Sequence, residues 1–155
     1  MKIEMGWLDM IESQSHYLSM DRQVTGTERF YKDELASIQK TGIKSVDDIS
    51  ELLFSENPKM AMTVSEYFRR MQVTFVSLGR LMRSGAHLVI KISDTKVRSQ
   101  VIHTPDIFVE MCQNLGFSLV EKFVDEFDKN SRSLLSARNT YSGLMTFDYV
   151  LVLMR

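Results

Sequence analysis

Apolar residues recur at helical spacing most clearly between residues 63 and 84. Val64, Phe68, Met71, Phe75, Leu78 and Met82 step by four and three, which places them on one face of a helix. Thr63 and Glu66 have the spacing of a capping box, and Gly85 that of a left-handed residue past the C-terminus. The period then changes. His87 to Ile92 is a short run of branched residues bounded by Gly85 and Ser93-Asp94, which predicts a strand buried on both faces. A second helix is predicted over 105–115, with Thr104 as N-cap, Pro105 in the first turn, Ile107, Phe108, Met111 and Leu115 inward, and Gly116 closing it. Phe117 to Val124 and Phe147 to Met154 read as two further strands, separated by a polar stretch holding Asn130, Asn139 and Gly143. The first 60 residues give weaker patterns and no strand. Thr27 to Gln39 reads as a helix with Tyr31, Leu35 and Ile38 on one side, and Ser45 to Phe54 as a short helix capped by Ser45 and Asp48. Trp7, Leu8 and Ile11 are assigned to another.

A strand, helix and strand of these lengths are best joined as parallel strands with a right-handed crossover. The class predicted is therefore α/β, with a helical segment over 1–59 packing on an α/β unit over 60–155. Both C-terminal strand ends then share one edge, where open α/β sheets bind ligands. The loop 93–104 brings Lys96, Arg98 and His103 to that edge, and the loop 129–146 brings Lys129, Arg132 and Arg138. Phosphates are met by such groups, helped by hydroxyls and amides. An ordinary solvated surface accounts for the same dispersed cations, and composition does not separate the two.

Composition narrows the classes. The 155 residues are 44% hydrophobic and 25% charged, which suits a folded chain with a sizeable core rather than a disordered one. The net charge of −1 argues against a strongly basic nucleic-acid binder, but residues 1–59 hold seven Lys/Arg against eleven Asp/Glu, and residues 60–155 hold twelve against nine. No apolar run is long enough to span a bilayer, and the N-terminus lacks a basic stretch ahead of an apolar one. The expectation is a cytoplasmic protein, nucleoid-associated if prokaryotic, with no membrane contact. Cys112, the single cysteine, sits among apolar residues and reads as a buried, inert thiol; the three scattered His offer no metal spacing.

The run "RLMRSGAHLVIKISDTKVRSQVIHTPDIFVEMCQNLGFSLVEKF" followed by "TFDYVLVLMR" resembles the C-terminal half of S-adenosyl-L-methionine-dependent DNA methyltransferases acting on adenine N6 or cytosine N4. The matching features are Arg80 to Ala86, where the family has "R-V-L-K-P-G-G"; a strand ending at Ser93-Asp94; Val97-Arg98-Ser99, for "V-R-G"; His103-Thr104, for "P-T"; and Gly116-Phe117. Ser84 and Ala86 depart from the family's Pro and Gly. The final "DYVLVLMR" is similar to the family's last, antiparallel strand, which inserts between its two predecessors, and "GWLDM" and "VTGTERFYKDEL" resemble the segment after its catalytic tetrapeptide more loosely. The resemblance implies half of a Rossmann-like class I methyltransferase sheet, parallel strands plus a final antiparallel one.

Two family features are absent: the F-x-G-x-G turn, whose bare backbone approaches the cofactor, and the Pro-Pro-aromatic tetrapeptide, which holds the flipped base. "SQSHY" at 13–17 imitates the latter poorly and receives no catalytic role. No residue is assigned to catalysis, cofactor or metal. The resemblance implies instead a subunit of a split DNA methyltransferase, as in restriction-modification, inactive alone. A partner chain pairing with the open edge of strand 87–92 would bind S-adenosyl-L-methionine and carry the chemistry. Ser93, Asp94 and Tyr141 would contribute to the target-base pocket; Lys96, Arg98, Lys129, Arg132 and Arg138 would meet DNA. A turn cap serves equally for Asp94 and a core anchor for Tyr141. Three alternatives stay open: a non-catalytic nucleic-acid-binding or regulatory subunit, half of an enzyme acting on RNA or a small molecule, and a homodimer built on the same edge.

Overall fold

The computed structural model describes residues 10–98, 100–126 and 147–155. The chain divides into two units, Met1–Met71 and Gln72–Arg155, and the division falls inside a long helix.

In the first unit, helix α1 (Gln14–Gln23) opens on Ser13, whose hydroxyl accepts the His16 N–H at 3.1 Å. "SQSHY" is thus a helix cap and first turn. Residues 27–39 do not form the expected helix; only a 3₁₀ turn, Glu34–Ala36, appears. The Glu34 carboxylate accepts the Tyr31 N–H at 2.6 Å, a donor that a helix over 27–39 would have given to the Thr27 carbonyl. Helix α2 (Lys44–Glu56) starts on the Asp47 carboxylate, which takes the N–H and hydroxyl of Thr41 at 2.7 and 2.8 Å, rather than on Ser45 and Asp48. Helix α3 (Pro58–Leu81) begins five residues before the expected capping box. Asn57 Oδ1 accepts the Met60 N–H, and Pro58 needs no N–H partner in the first turn. Val46, Leu53, Ala61, Val64 and Phe68 are buried in this unit.

The second unit takes the end of α3, strand β1 (His87–Ser93), a hairpin of β2 (Thr95–Val97) and β3 (Gln100–Ile102), helix α4 (Thr104–Asn114), and strands β4 (Ser118–Glu126) and β5 (Phe147–Met154). Its larger sheet has the order β1-β5-β4, and both ladders are antiparallel; the hairpin is antiparallel too. This overturns the expected Rossmann-like sheet with parallel strands. The physical reason is β5: its run Tyr149 to Leu153 takes the centre and satisfies the facing backbone groups of both β1 and β4, which are not hydrogen-bonded to each other.

The burial expected for the first strand is corrected as well. Along β1, His87, Val89 and Lys91 are exposed while Leu88, Ile90 and Ile92 turn inward, so exposure alternates as in an antiparallel sheet with one open face. Helix α4 contacts all three strands of that sheet. It buries Ile107, Phe108, Met111 and Cys112, and Phe108 meets Phe75 of α3 edge to face, centroids 5.0 Å apart. Burial pushes the Cys112 thiol up to about 11, so it stays protonated.

Candidate functional site at the strand-end rim

The register of the sheet fixes the rim. Ser93 pairs with Asp148 and Asp148 with Asp125, so the ends of β1 and β4 and the start of β5 lie in one row. Because side chains alternate, Ser93, Asp148 and Asp125 share one face, which is the open one. The Ser93 hydroxyl donates to Asp148 Oδ1, and Lys91, one pleat back on the same face, reaches Asp148 at 3.1 Å and Asp125 at 4.0 Å.

Asp94 follows as β1 ends. Its carboxylate lies 3.4 Å from His103 Nδ1 and accepts from the Tyr149 hydroxyl at 3.5 Å, the outer limit of a hydrogen bond. Burial pushes the Tyr149 phenol up, and the negative charge of Asp94 adds to it. Lys122 stands 4.7 Å from the centroid of the Tyr149 ring and pairs with Asp106 at 2.6 Å. Asp94 is therefore tied into a side-chain network rather than acting as a turn cap alone.

Lys96 lies on β2 and Arg98 at the tip of the hairpin; both are exposed, and neither makes an ion pair among the described residues. Arg98 has φ +53°, the only positive φ at a non-glycine residue among those described. Tight hairpin turns favour this conformation, and Arg98 is exposed at the tip. Of the other residues assigned from sequence, Lys129, Arg132, Arg138 and Tyr141 lie outside the described residues.

The rim brings Ser93 and Asp94 close to Lys91, Lys122, Asp125, Asp148 and Tyr149, which no sequence pattern singled out. Only the strand pairing identifies them: Asp148 and Tyr149 matter because β5 aligns with β1, which cannot be read from either strand alone. The rim in the described residues is richer in acid than expected, with Asp94, Asp125, Glu126 and Asp148 beside Lys91, Lys96 and Arg98. Among the described residues no group of three or more His, Cys, Asp or Glu is arranged to hold a metal ion.

The described glycines offer no cradle for a class I cofactor. Among the described residues the glycines with positive φ are Gly26, Gly42, Gly85 and Gly116, and each flanks a helix or precedes a strand; none of these follows a strand to open a cradle for a cofactor.

The two sheet edges differ. β4 carries Glu121, Lys122, Asp125 and Glu126, and its register shifts between Leu119 and Glu121. Charges and a bulge are the devices by which strands discourage further pairing. β1 pairs without a break over seven residues and carries one Lys and one His. No helix among the described residues is long and apolar enough to cross a membrane. The chain matches no family model, no curated protein and no solved structure.

Proposed function

We propose that this chain is one subunit of a split S-adenosyl-L-methionine-dependent DNA amino-methyltransferase, working in the cytoplasm and inactive alone. A partner polypeptide supplies cofactor binding and catalysis. The observation that carries the reading is the uneven protection of the sheet: β4 is blunted by four charges and a bulge, while β1, unpaired on its outer side among the described residues, has an unbroken ladder and a single Lys beside the rim. Residue resemblance supplies the family.

In this reading a partner strand hydrogen-bonds along β1 and sets Ser93 and Asp94 next to the partner's catalytic groups. The Asp94, Tyr149 and His103 network fixes the pocket wall, so that the target base is held by groups already oriented. Lys96 and Arg98 meet backbone phosphate, and their role is position rather than base choice. The partner's cofactor supplies the methyl group.

The test is the native mass and composition of the complex purified from its own cells, followed by a methyl-transfer assay on duplex DNA. A second polypeptide carrying an F-x-G-x-G turn and a Pro-Pro-aromatic tetrapeptide, with activity only in the complex, is the expected result. A lone monomer or homodimer would reject it. The acids along the rim favour a second reading in that event, a non-catalytic regulatory subunit whose rim meets a basic protein surface.

A further inference from the structure

The first unit holds a polar pocket of about 370 Å³ that the reading above does not use. Its wall includes four guanidiniums, Arg22, Arg29, Arg69 and Arg70, and three carboxylates, Asp33, Glu34 and Glu66. Glu66 is committed to Arg69 at 2.6 and 2.8 Å and to Arg70 at 2.6 Å, and Glu34 to Arg22 at 3.0 Å and to the Tyr31 N–H. Hydrogen bonds from Arg69, above all, hold the Glu66 carboxyl below its usual range, against the opposing effect of burial. Arg29 pairs with Asp21, which is not part of this wall.

These pairings hold the arginines in place; Arg70 is committed through all three of its nitrogens, to Glu66 and to the carbonyls of Gln23 and Arg22, whereas Arg22 and Arg69 use only some of their donors. Arg22 bonds Glu34 through Nη2 alone, and Arg69 bonds Glu66 through Nε and Nη2; their remaining N–H groups make no hydrogen bond among the described residues. A guanidinium has five donors in a rigid fork, and phosphate oxygens are its best-matched acceptors. Fixed arginines with spare donors around a cavity are a prepared anion site. Next to it lies a larger cleft of about 760 Å³ that shares Arg22, Thr27, Arg29 and Phe30 and adds Leu18, Val24 and Tyr31. That cleft gives room for the organic part of an ester.

We propose that the arginine pocket of the Met1–Met71 unit binds the phosphate group of a phosphate ester. The group comes either from a small free ester or from the backbone of a nucleic acid. The exposed Asp33 makes no ion pair among the described residues and opposes an anion on the same wall. The site therefore has one side chain whose removal weakens binding and another whose neutralisation strengthens it.

The full chain is titrated calorimetrically with inorganic phosphate and, separately, with a short duplex DNA, each against Arg69→Gln and Asp33→Asn. Both side chains are substantially exposed, so both variants are expected to fold. Phosphate affinity should fall about fivefold or more in Arg69→Gln and rise about twofold or more in Asp33→Asn, the opposite signs that charge at one site requires. If duplex affinity follows the same two changes, the phosphate belongs to the nucleic-acid backbone; if it ignores them while phosphate follows, the ligand is a free ester. Absence of saturable phosphate binding, or affinities that do not move in opposite directions, overturns the proposal. Neither outcome depends on a partner strand at β1.

Discussion

The guanidinium of Arg155 donates to the carbonyl of Leu115 at 2.7 Å, just past the last turn of α4. The same side chain donates to Gly79 O in α3 at 3.2 Å and lies 5.4 Å from the centre of the Phe117 ring. A cation at two helix C-terminal regions meets carbonyls that lack intrahelical partners. The Arg155 backbone also exchanges hydrogen bonds with Gly85 and Ala86, at 2.7 and 3.0 Å, so the end of β5 is tied to the turn that leads into β1. A Cβ on Gly116 would lie 3.0 Å from Arg155 Nη1, and Gly116 has φ +84°.

Arg155→Ala should therefore lower stability by about 1–2 kcal/mol, the value of charge-assisted hydrogen bonds discounted for exposure. Gly116→Ala should cost a similar amount, about 1–2 kcal/mol, from its left-handed backbone conformation. Urea unfolding of the two variants and the double mutant checks this. Since the alanine methyl displaces only the end of the Arg155 side chain, a Gly116→Ala cost fully retained in the Arg155→Ala background assigns it to the backbone; a cost that vanishes there assigns it to the clash.

Cys112 should be inert in the native state. Its side chain is fully buried and burial pushes its thiol to about 11, so at pH 7.5 almost no thiolate is present. Alkylation by iodoacetamide, followed by mass spectrometry, should be at least about a hundred times slower in native buffer than in urea. Equal rates would mean that α4 opens freely.

Glu66 ties stability to pH in the first unit. Its folded pKa lies below the ordinary 4.5, chiefly through the Arg69 hydrogen bond. A carboxyl depressed on folding contributes stability that is fully present above its unfolded pKa and is lost as pH falls through the folded value. Glu66→Gln should accordingly be less stable than the parent at pH 7, and the gap should close below about pH 4.5. Thermal melts of both proteins between pH 3 and 7 read this directly; a gap that widens in acid would reverse the assignment.

Much of the second unit was legible because its pattern is its packing. The long apolar stripe on α3, the α4 face with Phe108 and Met111, and the runs of β1 and β5 each gave their element within a few residues. The resemblance placed the last, antiparallel strand between its two predecessors, and the order β1-β5-β4 agrees with that. What sequence could not supply was the register, that the sheet contains no parallel ladder, and the separate antiparallel hairpin of β2 and β3 within the loop 93–104. The same gap hid the site: Asp148 and Tyr149 are ordinary strand residues until the register sets them beside Ser93 and Asp94. In the first unit the failures were local. α1 buries no residue and so has no strong stripe to detect, and Glu34 diverts the Tyr31 N–H that a helix over 27–39 would have used.

Arg98 separates charge from conformation at the hairpin tip. It holds φ +53°, which costs a branched or bulky residue more than it costs Gly. Arg98→Gly removes the cation and keeps the turn, whereas Arg98→Val removes the cation and strains the turn. If Arg98 and Lys96 contact phosphate, Arg98→Gly should lower duplex affinity in the intact complex and reduce the slope of log affinity against log salt by about one, and Lys96→Ala should do the same. Arg98→Val should show that loss plus a decrease in stability of about 1–2 kcal/mol. Fluorescence anisotropy with a labelled duplex at several salt concentrations gives both slope and affinity. A salt slope unchanged in Arg98→Gly and in Lys96→Ala would remove the hairpin from the DNA interface, and leave the acid-rich rim facing a protein rather than a nucleic acid.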